Sequence, residues 1–209
     1  MANINFKYYK PNALVGFILI LGTIINFSIA YLTKEIVWFS HITFPTTSAI
    51  VFFILLFYNK HLWKYKFLNR LVWIPNIEGR YEGNIYFTHP ISKEKATLKS
   101  IVIVHQTASI IKINSFFKKT DGTNTTPSES KIATIVKEDD NSFSLVFTYE
   151  NKGTQGSNEF SPHYGTNHLK FIDTGKEKLL TGYYYTNRNP QTKGEMKVKY
   201  INDDLHHEF

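Results

Sequence analysis

Two uncharged apolar stretches stand back to back at the start of the chain, and they constrain its fold more than anything that follows. The first runs from Pro11 to Thr33 and the second from Ile36 to Asn59, with only Lys34 and Glu35 between them. A helix needs roughly 20 mostly apolar residues to cross a bilayer core, and each stretch supplies that length. The expectation is a transmembrane helical hairpin over residues 1–74, carrying a separate domain over residues 75–209. Ser28-Ile29-Ala30 has the small residues of a signal-peptidase site, but the apolar run continues past it and a second run follows at once.

The formal charge of +7 sits beside those stretches. Before Pro75, seven basic residues face Glu35 alone; from Pro75 onward, 17 basic residues face 16 acidic ones. A nearly neutral domain argues against polymeric nucleic acid, whose binding rests on many phosphate contacts. It leaves room for a small anion held by one or two cations. Lys7 and Lys10 precede the first stretch, and Lys60, Lys64, Lys66 and Arg70 follow the second. The positive-inside rule then places both termini in the cytoplasm and the hairpin in the cell membrane. The absence of cysteine agrees with a reducing compartment.

Tyr58 to Ile74 is basic and aromatic, and is expected to continue the second helix until Pro75 ends it. Beyond Pro75 the dominant pattern is alternation with period two. Tyr81, Gly83, Ile85 and Phe87 share one face, while Arg80, Glu82, Asn84 and Tyr86 share the other. Further strands are predicted over 98–106, 110–117, 131–137, 142–150, 166–172, 178–186 and 194–201. With the first, that makes eight, joined mostly by short turns. An eight-stranded antiparallel up-and-down β-barrel removes every open edge, and its interior is either filled or holds one small ligand.

No catalytic constellation is apparent: there is no Gly-x-Ser-x-Gly, phosphate-binding loop or His-Glu-x-x-His. His206-His207 beside Asp203 and Asp204 reads as a frayed, solvated terminus rather than a metal site. A binding site has better support. Tyr183-Tyr184-Tyr185 followed by Thr186-Asn187-Arg188 puts aromatic planes and a guanidinium at the end of a strand, beside a turn. Arginine forks to phosphate and tyrosine faces stack on bases. The expected ligand contacts are Tyr185, Asn187 and Arg188, with Tyr81, Tyr86, Gln106, Ser130, Tyr149 and Tyr200 lining the same cavity or its mouth. The plainer role for each tyrosine is barrel packing, and for Arg188 a solvated turn charge. In the first apolar stretch, Thr23 and Asn26 lie one helical turn apart. A polar amide at that depth seeks a partner, either Thr46, Thr47 or Ser48 of the second stretch or another copy of the chain.

Residues 73–83 (WIPNIEGRYEG) at the junction, Val104-His105-Gln106 at a strand end, and residues 180–188 (LTGYYYTNR) with Gly194 opening the last strand carry a resemblance. In that order and spacing they are similar to the two-transmembrane, β-strand-rich effectors of bacterial cyclic-oligonucleotide-based antiphage signalling. The resemblance implies a non-enzymatic cytoplasmic barrel that senses a cyclic dinucleotide made by a cognate nucleotidyltransferase. It also implies homo-oligomerisation, disruption of the inner-membrane lipid bilayer and death of the infected cell. No cofactor is implied; the dinucleotide is an activating ligand. The competing expectations are a lipocalin-like barrel with a dry cavity lined by Phe143, Leu145, Phe147, Met196 and Val198, or an anchor with a filled barrel.

Overall fold

In a computed structural model describing residues 5–40, 43–89, 91–119, 121–153 and 162–207, Pro11 opens a helix that runs to Glu35 (α1). Proline suits the first helical turn, where its missing N–H has no intrahelical acceptor, and Lys34 lies in the last turn, where cations complement the helix dipole. The chain divides into two units: Met1–Ile74 with Thr107–Ser109, and Pro75–Gln106 with Ile110–Phe209.

In the first unit, α1 has 25 residues, about 37 Å at 1.5 Å per residue, and is long and apolar enough to cross a bilayer. Its surface is largely unpacked, with Leu19, Ile20, Ile24 and Phe27 exposed. The second apolar stretch departs from expectation. It forms a short turn of helix, Val37–Ser40 (α2), and then a separate helix, Thr47–Lys60 (α3), of 14 residues. At about 21 Å, α3 is shorter than a bilayer core of roughly 30 Å. The break has a local cause. Pro45 cannot donate to a preceding helical turn and biases Phe44 toward extended backbone, while the Thr46 hydroxyl accepts from Ala49 N at 3.3 Å and caps a new helix. So the described residues hold one bilayer-length helix rather than two. Nor does α3 continue to Ile74: it ends at Lys60, and two 3-10 turns follow at Leu62–Lys64 and Asn69–Leu71.

The second unit is a closed barrel of eight strands in chain order, as the alternation predicted. They are β1 (Gly79–Thr88), β2 (Lys95–Gln106), β3 (Ile111–Lys118), β4 (Ser128–Lys137), β5 (Phe143–Asn151), β6 (His163–Asp173), β7 (Lys178–Thr186) and β8 (Lys193–Asn202). Each pairs antiparallel with the next, and β1 pairs with β8 to close the ring. Inward residues Val102, Val104, Leu145, Leu169, Leu180 and Val198 are buried and fill much of the interior.

One end of the barrel is closed by the chain leading into it. Gln106 Nε2 donates to Pro75 O at 3.0 Å, and its Oε1 accepts from Ile77 N at 2.8 Å. The Tyr81 hydroxyl donates to Ile77 O at 2.9 Å. The outside of β2 is covered as well: Leu205 packs on Ile101, Ile103 and Phe116, and the His207 ring lies 5.5 Å from that of Phe116. Within the described tail, residues 203–207, Leu205 and the His207 ring thus lie against an apolar strip on the outer face of the sheet, while Asp203, Asp204 and His206 stay exposed.

Candidate functional site

At the other barrel end β1, β3, β5 and β7 finish and β2, β4, β6 and β8 begin. There the interior opens into a cavity of about 530 Å³, within the roughly 300–1,000 Å³ usual for small-ligand sites. Ile85, Leu98 and Met196 supply apolar wall, and Tyr149, His163, Tyr184 and Arg188 supply aromatic and cationic groups.

Register explains how each side chain arrives. On β7, Leu180 faces inward, so Gly182, Tyr184 and Thr186 follow at the same parity while Tyr183 and Tyr185 point outward. Beyond the strand, Asn187 continues the pairing: its N donates to Tyr164 O at 2.9 Å, and its Oδ1 accepts from Tyr164 N at 2.8 Å. That clamp fixes the residue that follows, Arg188. Two strands round the barrel from β7, Tyr149 of β5 sits in register with Gly165 of β6. A Cβ at position 165 would overlap the Tyr149 ring, so glycine is what lets the phenol lie across the neighbouring strand. The Tyr149 ring makes an edge contact with His163, centroids 6.2 Å apart.

The electrostatics of the cavity wall centre on Arg188. Arg188 Nε is buried with no hydrogen-bond partner. Burial lowers the guanidinium pKa, an effect opposed by the Tyr149 and Tyr184 hydroxyls. Burial pushes the Tyr149 phenol up to about 12, against the pull of the Arg188 charge, and raises Tyr184 further still. Both phenols therefore stay neutral at neutral pH, beside a cation whose Nε N–H is unspent. A polar cluster completes the wall: Thr126 Oγ1 donates to Asn151 Oδ1 at 2.6 Å, and Asn151 Nδ2 donates to Ser128 Oγ at 3.0 Å.

Of the residues expected at the site, the structure brings Tyr149 and Arg188 together on the cavity wall, with Asn187 bracketing the latter. Tyr81 and Gln106 are buried at the closed end, satisfied by the segment 75–78. Ser130 lies at an irregularity in the β4–β5 register, and its Oγ accepts from Ile113 N at 2.8 Å. Tyr86 and Tyr185, 46% and 48% exposed, flank a separate groove on the outside of the barrel with Tyr183 and Glu195. The Tyr200 ring stands edge-on to Tyr81 at 5.7 Å, and its hydroxyl donates to Asp203. Among the cavity residues outside the expected contacts are Tyr184, named before only as part of the strand-end motif, and Asn167. Both share the inward parity of clearly apolar neighbours (Leu180 on β7; Leu169 and Phe171 on β6), and that period-two signal was available to find them.

Fold and cavity together define a class: a closed up-and-down barrel with room for one small ligand. Residues 72–200 match the family model described as Cap15, cyclic dinucleotide receptor domain, and the chain belongs to that family. A curated relative is CD-NTase-associated protein 15 of Yersinia aleksiciae, 24% identical over 144 residues that make up 69% of this chain. The chain spans about 64% of the length of that relative. The family resemblance drawn from residues 73–83, 104–106 and 180–188 is thus borne out.

Proposed function

We propose that this chain is an antiphage effector that binds a cyclic dinucleotide in the open end of its barrel, with Arg188 on a phosphate and the Tyr149 and Tyr184 rings against the bases. The observation that carries this reading is the buried, unpartnered Nε of Arg188 in a cavity of ligand size. Leaving a charged donor unsatisfied costs stability, and an anionic ligand recovers it. Membership of a cyclic dinucleotide receptor family supports the choice of anion. The role is recognition rather than catalysis. A lipocalin-like role for an apolar molecule is disfavoured by that same guanidinium and by the Thr126–Ser128–Asn151 cluster.

Binding then drives homo-oligomerisation through the apolar helices and disrupts the inner membrane, in response to a nucleotide made by a cognate nucleotidyltransferase. The flanking cations support a cytoplasmic barrel and cytoplasmic termini. On α1 the Thr23 hydroxyl is satisfied by Leu19 O at 2.8 Å, whereas Asn26 is exposed with no partner among the described residues. Thr46 and Ser48 bond each other. An amide left over on an apolar helix supports a contact with a second copy.

Two measurements test this. Calorimetric titration of the full chain in detergent against cyclic di-AMP, cyclic di-GMP and the mixed AMP–GMP and UMP–AMP rings should show saturable binding of at least one, at one ligand per barrel. Absence of binding by all of them sinks the sensing claim. In cells producing the ligand, Asn26→Leu should abolish membrane permeabilisation; undiminished dye entry would remove Asn26 from the mechanism.

A further inference from the structure

Asn167 is the one amide on the inward face of β6, which also carries His163, Gly165, Leu169 and Phe171. It is 3% exposed, and its Oδ1 is buried with no hydrogen-bond partner. A leucine or valine would fill that position without the penalty of roughly 1–3 kcal/mol for an unsatisfied buried polar atom. Its place in the sheet is informative. In register it stands between Phe147 on β5 and Tyr184 on β7, and Asn167, Tyr149 and Tyr184 all line the cavity, so the amide shares the wall with aromatic rings.

The cavity therefore presents two unspent groups of opposite kind. Arg188 Nε needs an acceptor and Asn167 Oδ1 needs a donor. Phosphate oxygens answer the first and cannot answer the second. In a cyclic dinucleotide the N–H donors belong to the bases, and flat aromatic neighbours are what a base plane packs against. An amide paired with a base edge distinguishes bases, because donor and acceptor positions differ among them.

Resting on the dinucleotide reading above, we infer that Asn167 is the base-reading residue of this receptor: it sets which dinucleotide is preferred, while Arg188 holds any of them. An amide offers one acceptor and one donor. A carboxylate at the same place offers two acceptors, which match the adjacent N1–H and N2–H donors of guanine.

The test is the same four-nucleotide calorimetric panel, run on the full-length chain in detergent with wild type, Asn167→Leu and Asn167→Asp. For wild type, the ratio of the tightest to the weakest ligand is the reference. Asn167→Leu should fold with an unchanged or higher Tm and shrink that ratio by about tenfold or more, the worth of a bidentate base contact. Asn167→Asp should move the preference toward rings containing guanine. If Asn167→Leu binds every member more weakly by one common factor, Asn167 contacts ribose or shapes the wall, and base reading is wrong. A ratio unchanged in both variants overturns the inference while leaving the receptor reading intact. If wild type binds no member of the panel, the receptor reading fails and takes this inference with it.

Discussion

Arg188→Ala is expected to weaken dinucleotide binding by about tenfold or more and to leave the unliganded protein at least as stable as wild type. The two halves of that result have one cause. Without ligand, the guanidinium is half-buried and its Nε unpartnered, so its removal relieves a cost rather than breaking a bond. With ligand, a phosphate contact disappears. Charge-assisted hydrogen bonds contribute roughly 1.5–3 kcal/mol each in net terms, so losing one or two weakens affinity by about tenfold to more than a hundredfold. Arg188→Lys should recover part of the affinity, because an ammonium supplies charge without the bidentate fork. The check is a thermal melt with and without the tightest ligand of the panel. A variant whose Tm falls by several degrees before ligand is added would show that Arg188 is structural.

Gln106→Leu should behave in the opposite way, with a large loss of stability and a barrel that still binds. Leucine keeps the volume but strips hydrogen bonds from Ile77 N and Pro75 O, both held by this side chain at the closed end. Two backbone groups left unsatisfied in a buried setting cost about 3 kcal/mol together, on the order of 10 °C in Tm for a domain of this size. The affinity measured well below the new Tm should stay near the wild-type value, since the cavity lies at the other end. Loss of binding at full folding would place Gln106 in the site after all. Together the two variants separate the receptor end of the barrel from the end that holds it shut.

Much of the fold is legible in the sequence. Alternation alone placed eight strands within a few residues of their observed limits, because a strand buried on one face must repeat every two residues. The same rule puts Tyr81 and Tyr86, five positions apart, on opposite faces, so both cannot line one interior. It also separates Tyr184 from Tyr185. Reading those tyrosines as one group overrode the parity that the chain displays.

Other features were decided only in three dimensions. Tyr81 and Phe87 share the inward face of β1, yet six residues of strand set them about 20 Å apart, one at the sealed end and one near the cavity. Which end is sealed depends on where the segment 75–78 turns back onto Gln106, a contact spanning about 30 residues that no local pattern announces. Likewise, composition marked residues 36–59 as one apolar span, while the Thr46 cap behind Pro45 split it into two helices.

By itself, then, the sequence determined an apolar helix with cations beside it and an eight-stranded barrel whose nearly neutral charge sets it apart from that helix. Those follow from periodicity and charge, which are local. The tertiary structure decided which polar groups were left without partners, since burial and pairing depend on every strand around the ring. Arg188 and Asn167 stand out for that reason only.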